Sequence, residues 1–129
     1  METRKAEPIK ILIIEDDKTF HRMWGKMFRK KMLGRLDHQI LVLSVYNIEE
    51  AEKLFSANPD IRLIAIDGCV PGICLNTLPL TRAIRQRFVG PMIAISSRSD
   101  YREELMKAGC DYECEKFLLP QKIFEILAL

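Results

Sequence analysis

Ile9 to Ile14 is apolar at every position but Lys10. A strand with one wet face alternates apolar and polar residues. An almost unbroken apolar run of this length reads instead as a strand buried on both faces, the kind found inside a parallel sheet with helices on either side. The next residues supply such a helix. Phe20, Met23, Trp24, Met27 and Phe28 recur at i, i+3, i+4, i+7 and i+8, the stripe of an amphipathic helix that Gly34 ends.

Strand and helix signals alternate five times. Ile40 to Val45 is the second strand. Asn47, with Glu50 three residues on, forms a capping box that opens a helix through about Ala57, and the turn Asn58, Pro59, Asp60 stops it. Ile61 to Ile66 is the third strand, and its helix tolerates Pro79 in the first turn and runs to about Phe88. Gly90 and Pro91 introduce a fourth strand, Met92 to Ile95. Ser99 and Asp100, with Glu103 behind them, start a fourth helix that Gly109 closes as a left-handed cap. Cys110 to Lys116 is the fifth strand, and Pro120 opens a short last helix to Leu129. The pattern predicts an α/β fold on a parallel sheet, most simply a (βα)5 unit with right-handed crossovers.

At 129 residues the chain suits one domain, with residues 1–8 as a polar N-terminal tail and 9–129 as the folded unit. Hydrophobic residues at 48% and charged residues at 29% exclude a disordered or fibrous class. The apolar runs are strand-sized, which argues against a spanning helix, and Met1 to Pro8 lacks the apolar core of a signal peptide. A cytoplasmic protein is expected, with Cys69, Cys74, Cys110 and Cys114 as reduced thiols. Their CxxxxC and CxxxC spacings are not those of a zinc site. A net charge of +2 is too small to imply nucleic-acid binding.

The chemistry sits where the strands stop. The first run leads into Glu15, Asp16 and Asp17, the third into Asp67, the fourth into Ser96 and Ser97, and the fifth reaches Lys116. Open parallel sheets bind ligands outside the carboxyl ends of their strands, so these groups converge at one edge. Glu15, Asp16 and Asp67 within roughly 5 Å of one another would repel by about 3 kcal/mol per pair at an effective dielectric near 20. Either a cation offsets that repulsion or a carboxyl stays protonated. All-oxygen donors with an open position suit Mg²⁺ and a phosphoryl group. Asp17 is assigned to capping the first helix and Asp16 to metal. His21 and His38 fall at no strand end and are read as surface residues, and the methionine and aromatic stripe as core. Arg22, Lys26, Arg29, Lys30, Lys31 and Arg35 read as a solvated basic face of the first helix, the alternative being a dock for an acidic partner.

Ile-Leu-Ile-Ile-Glu-Asp-Asp, Ile-Asp-Gly-Cys-Val-Pro-Gly, Ile-Ala-Ile-Ser-Ser and Ala-Gly-Cys-Asp-Tyr-Glu-Cys-Glu-Lys, in that order and at strand ends over nearly the whole chain, resemble the receiver (CheY-like) domain of bacterial two-component response regulators. The resemblance implies a flavodoxin-like sheet in strand order 2-1-3-4-5. It implies a phosphorelay module, not an enzyme, in which Asp67 accepts a phosphoryl group from a phosphohistidine on a sensor histidine kinase or histidine phosphotransfer protein. Mg²⁺ would be held by Asp16, Asp67 and the backbone carbonyl of Cys69, with Glu15 reaching it through water. Lys116 would neutralise phosphoryl charge, the backbone N–H groups of Gly68 and Ser97 would donate to the phosphoryl oxygens, and Ser96 would hydrogen-bond the acyl phosphate. A downstream protein, or a second copy, would meet the face of helix 4, strand 5 and helix 5, where Arg102, Lys107 and Glu113 lie.

Glu113 stands where the family has an aromatic switch residue, with Tyr112 one place early, and Phe117 replaces the proline after the lysine. A carboxylate prefers water to the pocket an aromatic ring would fill, so Glu113 is expected to weaken the coupling of Ser96 to the output face. Activation is then left to the loop at Ser96 and Ser97 or to a dimer contact. Arg98 is expected to lie over the phosphate. Two other readings compete: a Mg²⁺-dependent aspartyl-phosphate hydrolase, and a phosphorylation-independent interaction domain. The hydrolase reading needs a second aspartate two residues after Asp67, where this chain has Cys69.

Overall fold

The computed structural model of the protein describes residues 7–35, 37–72 and 74–129, so most of the expected polar tail lies outside the described residues. β1 (Ile9–Ile14) pairs in parallel with β2 (Ile40–Val45) on one side and β3 (Leu63–Ile66) on the other. β4 (Met92–Ala94) and β5 (Tyr112–Glu113) complete the sheet in the order β2-β1-β3-β4-β5, the topology the resemblance implied.

The apolar character of β1 follows from what covers it. Leu12 and Ile14 belong to the core under α2 (Ile48–Ala57), α3 (Leu78–Arg87) and α4 (Ser99–Ala108), with Val45, Ala51, Ile66, Ile84 and Leu105. Ile11 and Ile13 point the other way, into the core under α1 (Lys18–Met32) and α5 (Leu119–Leu127), with Trp24, Phe28, Leu63 and Ile123. All four strand residues are fully buried, each contributing about 1.5–3 kcal/mol by leaving water. Arg22, Lys26, Arg29, Lys30, Lys31 and Arg35 are all exposed along the outer side of α1 and its exit.

Local signals set most boundaries. Asp17 caps α1, its carboxylate accepting from Thr19 N–H at 2.8 Å. Asn47 caps α2 by accepting from Glu50 N–H at 2.9 Å, while the Glu50 carboxylate accepts from Tyr46 N–H at 3.3 Å, one residue beyond the N-cap amide of the usual box. Pro79 sits in the first turn of α3.

The fifth strand departs from its expected span. β4 offers only three residues, and β5 pairs with the last two of them, Tyr112 against Ile93 and Glu113 against Ala94. A further bond from Cys114 N–H to Ala94 O, at 3.1 Å, ends the ladder. The chain then turns through one 3-10 turn, Lys116–Leu118, so Lys116 is not a strand residue, and α5 starts at Leu119 just before Pro120. An edge strand extends only as far as it has a partner.

Gly109 ends α4 at φ 136°, a conformation that L side chains rarely adopt. It also touches a hub. Arg85, from the last turn of α3, donates to the carbonyls of Phe88, Gly90 and Gly109 and to the Asp111 carboxylate, tying two turns together. A Cβ on Gly109 would come within 2.8 Å of the Arg85 side chain. Gly109→Ala should therefore destabilise the fold by roughly 2 kcal/mol through backbone strain and displacement of Arg85. The expected result is a lower urea midpoint at unchanged slope; an unshifted midpoint would refute this account.

Candidate functional site

The sheet places the acidic residues side by side. Glu15 N–H donates to Val45 O at 3.1 Å and Asp67 N–H to Ile14 O at 2.9 Å, so both residues continue the ladder at the carboxyl ends of β1 and β3. Glu15 and Asp67 are buried and Asp16 half-buried, and each offers a carboxylate oxygen within 4.8 Å of the others. Asp17 turns away to cap α1, as expected. Gly68 follows Asp67 in a tight spot: a Cβ would meet Leu75 Cδ1 at 2.9 Å and Tyr101 Cβ at 3.3 Å, so these side chains would have to shift. Its N–H donates to Asp67 Oδ1 at 2.8 Å, so this amide holds the carboxylate itself. Cys69 follows, half-buried.

Lys116 arrives on the 3-10 turn instead of a strand end, yet reaches the same place. Its ammonium lies 2.8 Å from Glu15 Oε2, an ion pair off the best hydrogen-bond direction, and 3.4 Å from Asp67 Oδ2, which it bonds. Its backbone is fixed from α1, where Trp24 Nε1–H donates to Lys116 O at 2.7 Å. The Phe20 ring centroid stands 4.9 Å from Nζ. Burial works against the ammonium, but Glu15 and Asp67 outweigh it and raise the Lys116 pKa above the ordinary lysine value.

One ammonium does not balance three carboxylates. Burial first, and then the charge of Asp67, push the Glu15 pKa up to about 7 against the pull of Lys116. Three oxygen donors with no thiol or imidazole among them fit a hard divalent cation, which would supply the missing positive charge. Burial pushes the thiols of Cys110 and Cys114 up to about 12 and about 11, which makes them inert core groups.

The hydroxyl corner differs in detail from expectation. Ser96 is buried beyond β4 and its Oγ accepts from Arg98 N–H at 3.3 Å, while Ser97 is exposed beside it. Arg98 pairs with exposed Asp100 at 2.6 Å and its guanidinium lies 4.2 Å from the Tyr101 ring centroid. Glu113 keeps its side chain in water, as expected of a carboxylate, and there pairs with Arg102.

Three supporting contacts lie outside the expected set. His21 is not a surface residue: Nε2 lies 2.7 Å from Glu15 O, which assigns the proton to that nitrogen, and the ring packs edge-on to Trp24 and Tyr46. Its Nδ1 is buried without a partner among the described residues, and burial lowers its pKa. The spacing His21, Trp24, Phe28 would have placed it on the inward stripe. Thr77 Oγ1 donates to Asp67 O at 2.7 Å, pinning the acidic residue from the start of α3. Arg102 Nη1 donates to Ser96 O at 2.8 Å.

Searches against known proteins agree with this geometry. A two-component response regulator from Clostridium difficile superposes with a TM-score of 0.73 at 22% identity, over 93% of this chain and 96% of that one. This chain has the receiver fold. A Burkholderia pseudomallei response regulator with a phosphorylated aspartic acid, calcium ion and citrate superposes at a TM-score of 0.72 and 18% identity, over 92% of this chain and 66% of that one. A chain from the complex of the CheA3 P1 domain with CheY6 of R. sphaeroides gives 0.70 at 16% identity, over 96% of this chain and all of that one. No protein-family model and no curated protein matches the sequence. Among the described residues, no helix of the receiver fold is long and apolar enough to cross a membrane.

A raised carboxyl pKa has a definite sign in stability. Folded Glu15 holds its proton up to about pH 7, whereas the unfolded residue loses it near 4.5, so its contribution is full below that value and falls as pH rises toward 7. In chelator-treated protein the urea midpoint should fall across this window by the equivalent of at most about 3 kcal/mol. Glu15→Gln should flatten the decline. A variant with the full wild-type slope would place the titration elsewhere.

Proposed function

We propose that the chain is a phosphoacceptor signalling module. Asp67 would take a phosphoryl group from the phosphohistidine of a sensor histidine kinase or histidine phosphotransfer protein. The observation that carries this reading is the meeting of Glu15, Asp16 and Asp67 within 4.8 Å, with Lys116 bonded to Asp67 Oδ2 at the sheet's carboxyl edge. A carboxylate oxygen of Asp67 attacks phosphorus, a P–O bond forms as the P–N bond breaks, and the departing imidazole keeps the electron pair and takes up a proton. Mg²⁺ fits the donor set, with Asp16, Asp67 and the Cys69 carbonyl as ligands and Glu15 acting through water. It would neutralise charge on the phosphoryl oxygens.

The chain's own groups divide the remaining work. Lys116 faces Oδ2 and would follow the negative charge as it spreads onto the phosphoryl group. Gly68 N–H, now on Oδ1, would pass to a phosphoryl oxygen, joined by Ser97 N–H, and the Ser96 hydroxyl would bond the acyl phosphate. Thr77 and the β3 ladder keep Asp67 in place while its partners change. The phosphorylated form would then alter the binding of a downstream protein, or of a second copy, at the face of α4, β5 and α5. The solved relatives support this reading, since one carries a phosphorylated aspartic acid with calcium and another is a complex with a P1 domain. With Cys69 where a hydrolase would carry its second aspartate, the module is read as a signalling domain and not a turnover enzyme.

Phosphoramidate and Mg²⁺ should add one phosphoryl group to the wild-type protein, read as intact mass. Asp67→Asn should add none. Asp16→Ala should lose the Mg²⁺ dependence while raising the metal-free urea midpoint, because it relieves the crowded cluster. Phosphate gained by Asp67→Asn would overturn the assignment.

A further inference from the structure

Arg102 joins two places that the sequence separates. From the first half of α4 its guanidinium donates through Nη1 to the backbone carbonyl of Ser96, at 2.8 Å, and through Nε to Glu113 Oε1, at 3.1 Å. The Arg102 side chain is 15% exposed and that of Glu113 46%, so the arginine end of this bridge is largely shielded from water. Ser96 is buried just past the end of β4, the strand next to Asp67's, and Glu113 is the last residue of β5. A guanidinium is planar, with its donors fixed in a fork, so it cannot follow one partner without disturbing the other.

We propose that Arg102 is a positioning residue that couples the phosphate pocket to β5: it holds the Ser96 main chain in register with Glu113, so that movement of Ser96 strains or releases the Glu113 pair. The proposal rests on the phosphoacceptor reading for what moves Ser96, but the bridge itself is present without phosphate. Coupling that an aromatic ring would carry by changing rotamer is carried here by a charged fork, and Glu113 is its far end and not a weak link.

Amide hydrogen exchange tests both parts. Without phosphoramidate, the Ser97 and Arg98 amides beside Ser96 should exchange several-fold faster in Glu113→Ala, and also in Arg102→Lys, which keeps the charge but loses the fork. Lys107→Ala, on the same helix and paired with exposed Glu103 and Glu104, should leave them unchanged. Wild-type rates at Ser97 and Arg98 in Glu113→Ala overturn the proposal whatever the phosphorylation result. With phosphoramidate and Mg²⁺, all these proteins should gain the same phosphoryl mass, while the Cys114 amide, which bonds Ala94 O, changes its exchange in wild type and not in Arg102→Lys or Glu113→Ala. A wild-type response of Cys114 in those variants also overturns the coupling. Absence of mass gain in wild type would instead count against the phosphoacceptor reading, and the bridge would then stand or fall on the exchange rates measured without phosphoramidate.

Discussion

Glu15, Asp16 and Asp67 crowd three carboxyl groups against the single ammonium of Lys116, and much of the molecule serves to keep them there. Two carboxylates are delivered by adjacent strands whose ladder bonds continue through Glu15 and Asp67, so they cannot separate without opening the sheet. The ammonium comes from the far side of the sheet, beyond β4 and β5, and is anchored through Trp24. Removing Lys116 alone would leave buried charge without a partner, a far costlier state than losing an exposed ion pair. The interaction that looks like stabilisation is thus a standing imbalance, and a cation is what would close it.

Much of the fold is legible because β1 is buried on both faces. Continuous burial of Ile11 to Ile14 demands helices above and below, and that demand, together with the helix caps at Asp17, Asn47 and Gly109, determines the layering. The fifth strand is where such reading fails. Cys110 to Lys116 has β-prone residues, but β4 contributes only Met92–Ala94 for it to pair with, and a strand's length is a property of two segments. Lys116 nonetheless reaches the acidic cluster, because its reach is set by the long side chain and by the turn after Glu113.

The site divides in the same way. Residues that act at strand ends, Glu15, Asp16, Asp67 and Ser96, could be placed from the sequence because the parallel topology itself puts strand ends together. Residues that act across layers could not. His21 against the Glu15 carbonyl, Thr77 against the Asp67 carbonyl and Arg102 between Ser96 and Glu113 all bond to backbone oxygens, which carry no sequence signature. Arg98, at the start of α4, is met locally by its neighbours Asp100 and Tyr101.

Trp24 is the only tryptophan in the chain, it is 1% exposed, and its indole N–H is bound to the carbonyl of Lys116. Indole emission responds to hydrogen bonding and to the local field, so the one indole sits one residue's length from the charge centre. Any event that shifts the lysine backbone changes the surroundings of that ring before it reaches solvent. The protein consequently carries a built-in optical probe of its own acidic edge, read without label or modification.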